Sequence, residues 1–123
     1  MNHNVNSIRN AARKESQQRK LDAGFVRDQF PEVADIVVSM MYHLRGPQKS
    51  FPRVINFFPE SYAFFRITCL TKDCIEGGFD FTQIITGMIR NHRQSAKGDI
   101  RCEGDGHSIS QPTVDYEVAI KYA

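Results

Sequence analysis

The residues best suited to chemistry are three cysteines and a histidine. Cys69 and Cys74 are separated by four residues, and Cys102 and His107 repeat that spacing. Thiolate and imidazole are the ligands of structural zinc, which is held in a closed tetrahedron of four protein groups. The spacing predicts a zinc site at Cys69, Cys74, Cys102 and His107. Gly77 and Gly78 follow the second cysteine and let backbone amides turn toward the thiolates. The fourth position has other candidates in His92, Asp73 and Asp105. The plain alternative is that Cys69 and Cys102 are small buried hydrophobes at strand ends. A Cys69–Cys74 disulfide or redox pair is a further alternative, although the spacing is not C-x-x-C and three cysteines cannot complete a disulfide framework.

A second set of residues is basic. The net charge of +2 is uneven: residues 1–20 carry +4, and residues 21–60 and 61–123 each carry −1. Arg9, Arg13, Lys14, Arg19 and Lys20 give the N-terminal arm its charge. Such an arm can neutralise phosphates by displacing counterions, or it can be an ordinary solvated helix end. Tyr62, Phe64 and Arg66 share one face of an expected strand. With Arg53 they make an aromatic and basic platform for single-stranded nucleic acid. Residues 61–67, Ser-Tyr-Ala-Phe-Phe-Arg-Ile, resemble the RNP1 strand of RNA-recognition modules in their Tyr-Ala-Phe core. They depart from it at Glu60 and Ser61, where those modules carry a basic residue and a glycine, and in the order of elements. The match is therefore read as coincidental. His43 and His3 have no partner recognisable in the sequence.

Signals of catalysis are missing. There is no G-x-S-x-G, no P-loop and no H-E-x-x-H, and Gly77-Gly78 alone is no phosphate cradle. Nothing pairs a nucleophile with a base, so a catalytic role is not expected.

These residues need elements to position them. Residues 1–7 are polar and read as disordered. Residues 8–29 read as a basic helix with a partial apolar stripe, ended by Phe30-Pro31. Residues 32–43 alternate, with Ile36, Val38, Met40 and Tyr42 on one face, and read as a strand. Residues 53–58 and 62–69 read as two more strands, joined by the turn at 59–61 into an antiparallel hairpin. Residues 70–79 read as a loop. Phe81, Ile84, Ile85, Met88, Ile89 and His92 recur with helical period. Asp80 and Gln83 resemble a capping box, and Gly98 sits where a left-handed cap would end this helix after 95–97. Residues 99–102 read as a short strand and 103–112 as a loop. Val114, Tyr116, Val118, Ile120 and Tyr122 alternate with polar residues in a final strand.

With 123 residues, the chain fits one domain over 8–123 with a buried core. Only three leucines stand against 11 Ile, 8 Val and 9 Phe, a balance that suits a sheet. The expected fold is α+β in the order α-β-β-β-α-β-β. It has a mainly antiparallel sheet of about five strands and one amphipathic helix packed on it. No apolar run is long enough to span a membrane. With no apolar leader and no disulfide framework, the cytoplasm is the expected compartment. The expected function is a small non-enzymatic binding module with structural zinc, contacting nucleic acid or a ribonucleoprotein through the basic arm. The alternatives are a protein-interaction adaptor and a small thiol-dependent enzyme or redox protein using Cys74.

Overall fold

The computed structural model describes residues 11, 14–15, 17–43, 50–68, 78–102 and 113–123. The fold class is as expected: α+β, with a mainly antiparallel sheet. Helix α1 (residues 17–23) and the short helix α2 (Val26–Gln29) precede strand β1 (Val33–His43). Then come β2 (Phe51–Phe57), β3 (Arg66–Thr68) and β4 (Gly78–Asp80), helix α3 (Thr82–Arg90), and β5 (Ser95–Arg101) and β6 (Thr113–Tyr122). Four strands form one sheet in the order β2-β1-β6-β5, and β3 and β4 form a two-stranded ribbon. No described helix is long and apolar enough to cross a membrane.

The expected hairpin of the second and third strands does not form. β2 pairs with β1, Val38 standing opposite Ile55, and β3 pairs with β4, Ile67 standing opposite Phe79. The third strand is shorter than expected because the segment before it has another partner. Ala63 N–H donates to the Gly24 carbonyl at 2.7 Å, Val26 N–H to Ser61 at 2.8 Å and Arg27 N–H to Pro59 at 3.0 Å. Residues 59–63 therefore spend their polar groups on the N-terminal arm.

The same stitching breaks the helix expected over 8–29. Gly24 has φ +73°, a left-handed conformation that ends α1, and Phe25 is extended and bridges to Tyr62. Residues 17–22 are all exposed, and Leu21 of the expected apolar stripe is 57% exposed. The part of the arm before residue 11 lies outside the described residues.

The core lies on one face of the large sheet. Ile36, Val38, Met40 and Tyr42 of β1 are buried, and so are Val114, Val118 and Ile120 of β6, as their alternation predicted. Val33 is buried as well, although strict alternation places it with Asp35. The register shifts between Val33 and Asp35, and such a bulge returns Val33 to the core side.

The covering layer is α2, the β3–β4 ribbon and α3. Its aromatic rings meet the sheet edge-on: Phe65 on Phe57 at 5.1 Å, Phe79 on Tyr42 at 5.6 Å, and Phe81 on Tyr116 at 5.2 Å. Ile85, Met88 and Ile89 of α3 complete the core. Burial of each such side chain contributes roughly 1.5–3 kcal/mol.

α3 begins close to where it was expected, and the Asp80 carboxylate accepts the Thr82 amide at 2.9 Å. Its end differs. The helix stops at Arg90, and His92, not Gly98, takes the left-handed turn, with φ +51°. His92 is thus exposed beyond the helix instead of lying on its apolar stripe, and its ring stacks on Tyr122 at 3.9 Å. Residues 95–98 belong to β5. Gly98 serves close packing there, because the Tyr116 ring lies over it and a Cβ would fall 2.7 Å from the Tyr116 hydroxyl.

Candidate functional site: a groove beside strand β2

The covering layer does not reach across the whole sheet. It leaves a groove of about 590 Å³ over the inner side of β2. Arg53, Ile55 and Phe57 form the floor, because they stand opposite Met40, Val38 and Ile36 and share their face. Residues 60–68 make one wall with Tyr62, Phe64 and Arg66, and Gln17 and Lys20 of α1 make the rim. Three basic residues, Lys20, Arg53 and Arg66, thus line one groove with Glu60.

Each basic side chain is held differently. Arg53 Nη1 donates to the Tyr42 hydroxyl at 3.0 Å and to the Thr68 carbonyl at 2.7 Å, so this guanidinium is part of the frame. Lys20 Nζ stands 5.7 Å from the centre of the Tyr62 ring. Tyr62 also stacks on Phe25 at 5.0 Å, and Arg27 lies 5.3 Å from the Phe25 ring. This cation and ring stack fixes α1 at the mouth of the groove. Arg66 starts β3, opposite Asp80.

Four residues named from sequence for a basic and aromatic platform, Tyr62, Phe64, Arg66 and Arg53, are therefore together, and Lys20 of the arm joins them. Lys14 and Arg19 are exposed on the arm away from the groove lining. Arg9 and Arg13 lie outside the described residues. The short β3 and its pairing with β4 also remove the likeness to an RNP1 strand.

The expected zinc ligands are only partly described. Cys69, Cys74 and His107, with Asp73 and Asp105, lie outside the described residues. Cys102 is fully buried in the core. Among the described residues, no group of three or more His, Cys, Asp or Glu is placed to hold a metal ion. Cys102 follows Ile100, which stands opposite Val114, itself opposite Tyr42. Arg53 ties Tyr42 to Thr68, the residue before Cys69. Topology thus brings Cys102 and the chain leading to Cys69 to the same end of the sheet.

A polar chain that sequence reading missed lies on the opposite, outer face. His43 Nε2 and Asp115 Oδ2 are 2.7 Å apart, and Ser50 Oγ is 3.3 Å from His43 Nδ1. The order Ser-His-Asp resembles a nucleophile relay, but the His43 and Asp115 side chains are 45% and 66% exposed. Neither groove described here includes them. Such a solvated pair contributes less than about 1 kcal/mol. Their 72-residue separation in sequence hid the contact.

A second groove, of about 530 Å³, is lined by Asp35, His92, Lys121 and Tyr122 among others. Asp35 has a buried Oδ1 with no hydrogen-bond partner among the described residues. Comparison with protein-family models, curated proteins and solved structures returns no match.

Proposed function

We propose that this protein is a small non-enzymatic module that binds single-stranded nucleic acid in the groove beside β2. The observation that carries the reading is the convergence of Lys20, Arg53 and Arg66 with Tyr62 and Phe64 in one groove. Single strands are held by cations that follow the backbone and by aromatic side chains that stack on bases. Phe64 is the groove aromatic assigned to stacking, since the Tyr62 ring already carries Phe25 and Lys20. Lys20 and Arg66 meet phosphates. Arg53 holds the floor in shape. The exposed arm, with Lys14 and Arg19, extends the basic surface beyond the groove.

Structural zinc remains part of the proposal. It rests on the repeated spacing of Cys69, Cys74, Cys102 and His107; Cys102 continues β5 and Thr68 is tied to β2, at opposite edges of one end of the sheet. The alternative of a thiol enzyme acting through Cys74 rests on a residue outside the described ones. A protein-interaction adaptor is the rival reading, favoured by the exposed Leu21 and Phe58.

The test is amide chemical-shift mapping with a short unstructured oligonucleotide. Shifts gathered at residues 17–20, 53–57 and 60–68 support the groove. Shifts confined elsewhere, or none at saturating oligonucleotide, refute it.

A further inference from the structure

We propose that β5 is a homodimer edge, at which two copies of this chain join their sheets antiparallel about a two-fold axis at Gly98. The strand order leaves β2 and β5 at the two edges of the large sheet. β2 is tied to β3 by the Arg53–Thr68 hydrogen bond. β5 is open. Gly98 is exposed although Tyr116 covers its inner side, so what meets water there is the backbone at the edge.

An open edge is a template for another strand. Here the side chains select which strand it takes. Pairing β5 with itself about Gly98 sets Lys97 opposite the second copy's Asp99, and Asp99 opposite its Lys97. On the inner face the same register sets Ala96 opposite Ile100 twice. Moving the axis by one residue spoils this. An axis at Lys97 faces lysine with lysine. An axis at Asp99 faces aspartate with aspartate and Lys97 with Arg101. Like charges directly opposite are destabilising and opposite charges stabilising, so the Gly98 register is the one that charge permits.

The protein's own sheet adds a second reason. Asp99 stands directly opposite Asp115 on β6, a like-charged pair on the outer face. A lysine arriving on the free side of Asp99 offsets that repulsion, and the second copy's Lys97 is the residue that arrives. Lys97 in turn already faces Glu117. The joined rows then alternate around each lysine, with a carboxylate on both sides. A charged edge that only repels strands would not be its own complement.

Strand pairing over seven residues is small beside the roughly 1,200–2,000 Å² of a permanent interface. The association is therefore concentration-dependent and weakened by salt.

The test is sedimentation velocity on the full chain from about 10 to about 500 μM, with Lys97→Asp, Asp99→Lys and their equimolar mixture. The wild type is expected to move from the mass of one chain toward two. Each variant alone places like charges across the axis and should weaken dimerisation about tenfold or more, from two altered pairs per dimer. The mixture restores opposite charges at both pairs and should recover it. If Lys97→Asp fails to fold beside Glu117, Asp99→Lys, which relieves the Asp99–Asp115 repulsion, still decides the matter. A wild type that keeps one chain's mass throughout overturns the proposal. So do single variants that associate as the wild type does, or a folded mixture that stays monomeric.

Discussion

The Arg53 guanidinium donates to the Thr68 carbonyl at 2.7 Å and so joins the edge of the large sheet to the β3–β4 ribbon. The same nitrogen donates to the Tyr42 hydroxyl on β1 at 3.0 Å. One side chain thus spans three strands and sets the width of the groove. Arg53→Met keeps most of the length and loses both bonds. The expected cost is about 3 kcal/mol, the low end for two hydrogen bonds from a charged group at roughly 1.5–3 kcal/mol each, since the stem still packs. Urea unfolding checks it: the midpoint should fall with the slope unchanged.

Gly24 ends α1 in a left-handed turn at φ +73°. A Cβ there is strained, and it would also lie 3.2 Å from the Gln29 amide nitrogen. Gly24→Ala should destabilise by about 1–2 kcal/mol. The loss should appear first in the stitching of 24–27 to 59–63, as faster hydrogen exchange at the Val26 and Ala63 amides. Exchange unchanged at both sites would contradict this placing of the arm.

Tyr122 links the end of β6 to the segment after α3, its hydroxyl donating to the Met88 carbonyl at 3.2 Å and the Arg93 carbonyl at 2.8 Å. Burial raises its pKa above the ordinary 10.0, and the Glu32 carboxylate adds to the rise. Below pH 10.0 the hydroxyl is protonated in both states, and its contribution to stability is complete. As the pH rises further the unfolded state ionises first, so that contribution is lost through the folded pKa. Tyr122→Phe should remove this alkaline dependence and cost about 1–2 kcal/mol at neutral pH through the lost bonds. Equilibrium unfolding of both proteins between neutral pH and the alkaline range measures it.

Zinc is tested by elemental analysis with thiol counting. About one zinc per chain is expected, with thiols masked until a chelator is added and the fold loosened once the metal leaves. No metal, with all three thiols reacting in unfolded protein regardless of chelator, would leave Cys102 as a buried core residue alone.

Much of the fold was legible where one face of an element is buried. The alternation of β6 and most of β1, and the period of α3, placed their core residues because a sheet or helix face repeats regularly. The platform of Tyr62, Phe64, Arg66 and Arg53 was legible for the same reason, although strand three proved short. What sequence did not show depends on partners distant in the chain. The 59–61 turn suggested a hairpin, but its backbone pairs with residues 24–27 instead. Gly24 lies inside the stretch that reads as one helix, and only the Phe25–Tyr62 bridge makes it a break. The bulge beside Val33 and the meeting of His43 with Asp115 follow from the β1–β6 register, which no local pattern states.

The most direct test of the groove is fluorescence anisotropy of a labelled single-stranded oligonucleotide, titrated at several salt concentrations with wild type and with Lys20→Glu and Arg66→Glu. The account predicts wild-type binding that weakens steeply as salt rises. Each variant should bind less tightly and show a salt slope smaller by about one. Wild-type affinity indifferent to salt, or variants that bind as the wild type does, would contradict it and leave a protein-interaction adaptor as the better reading.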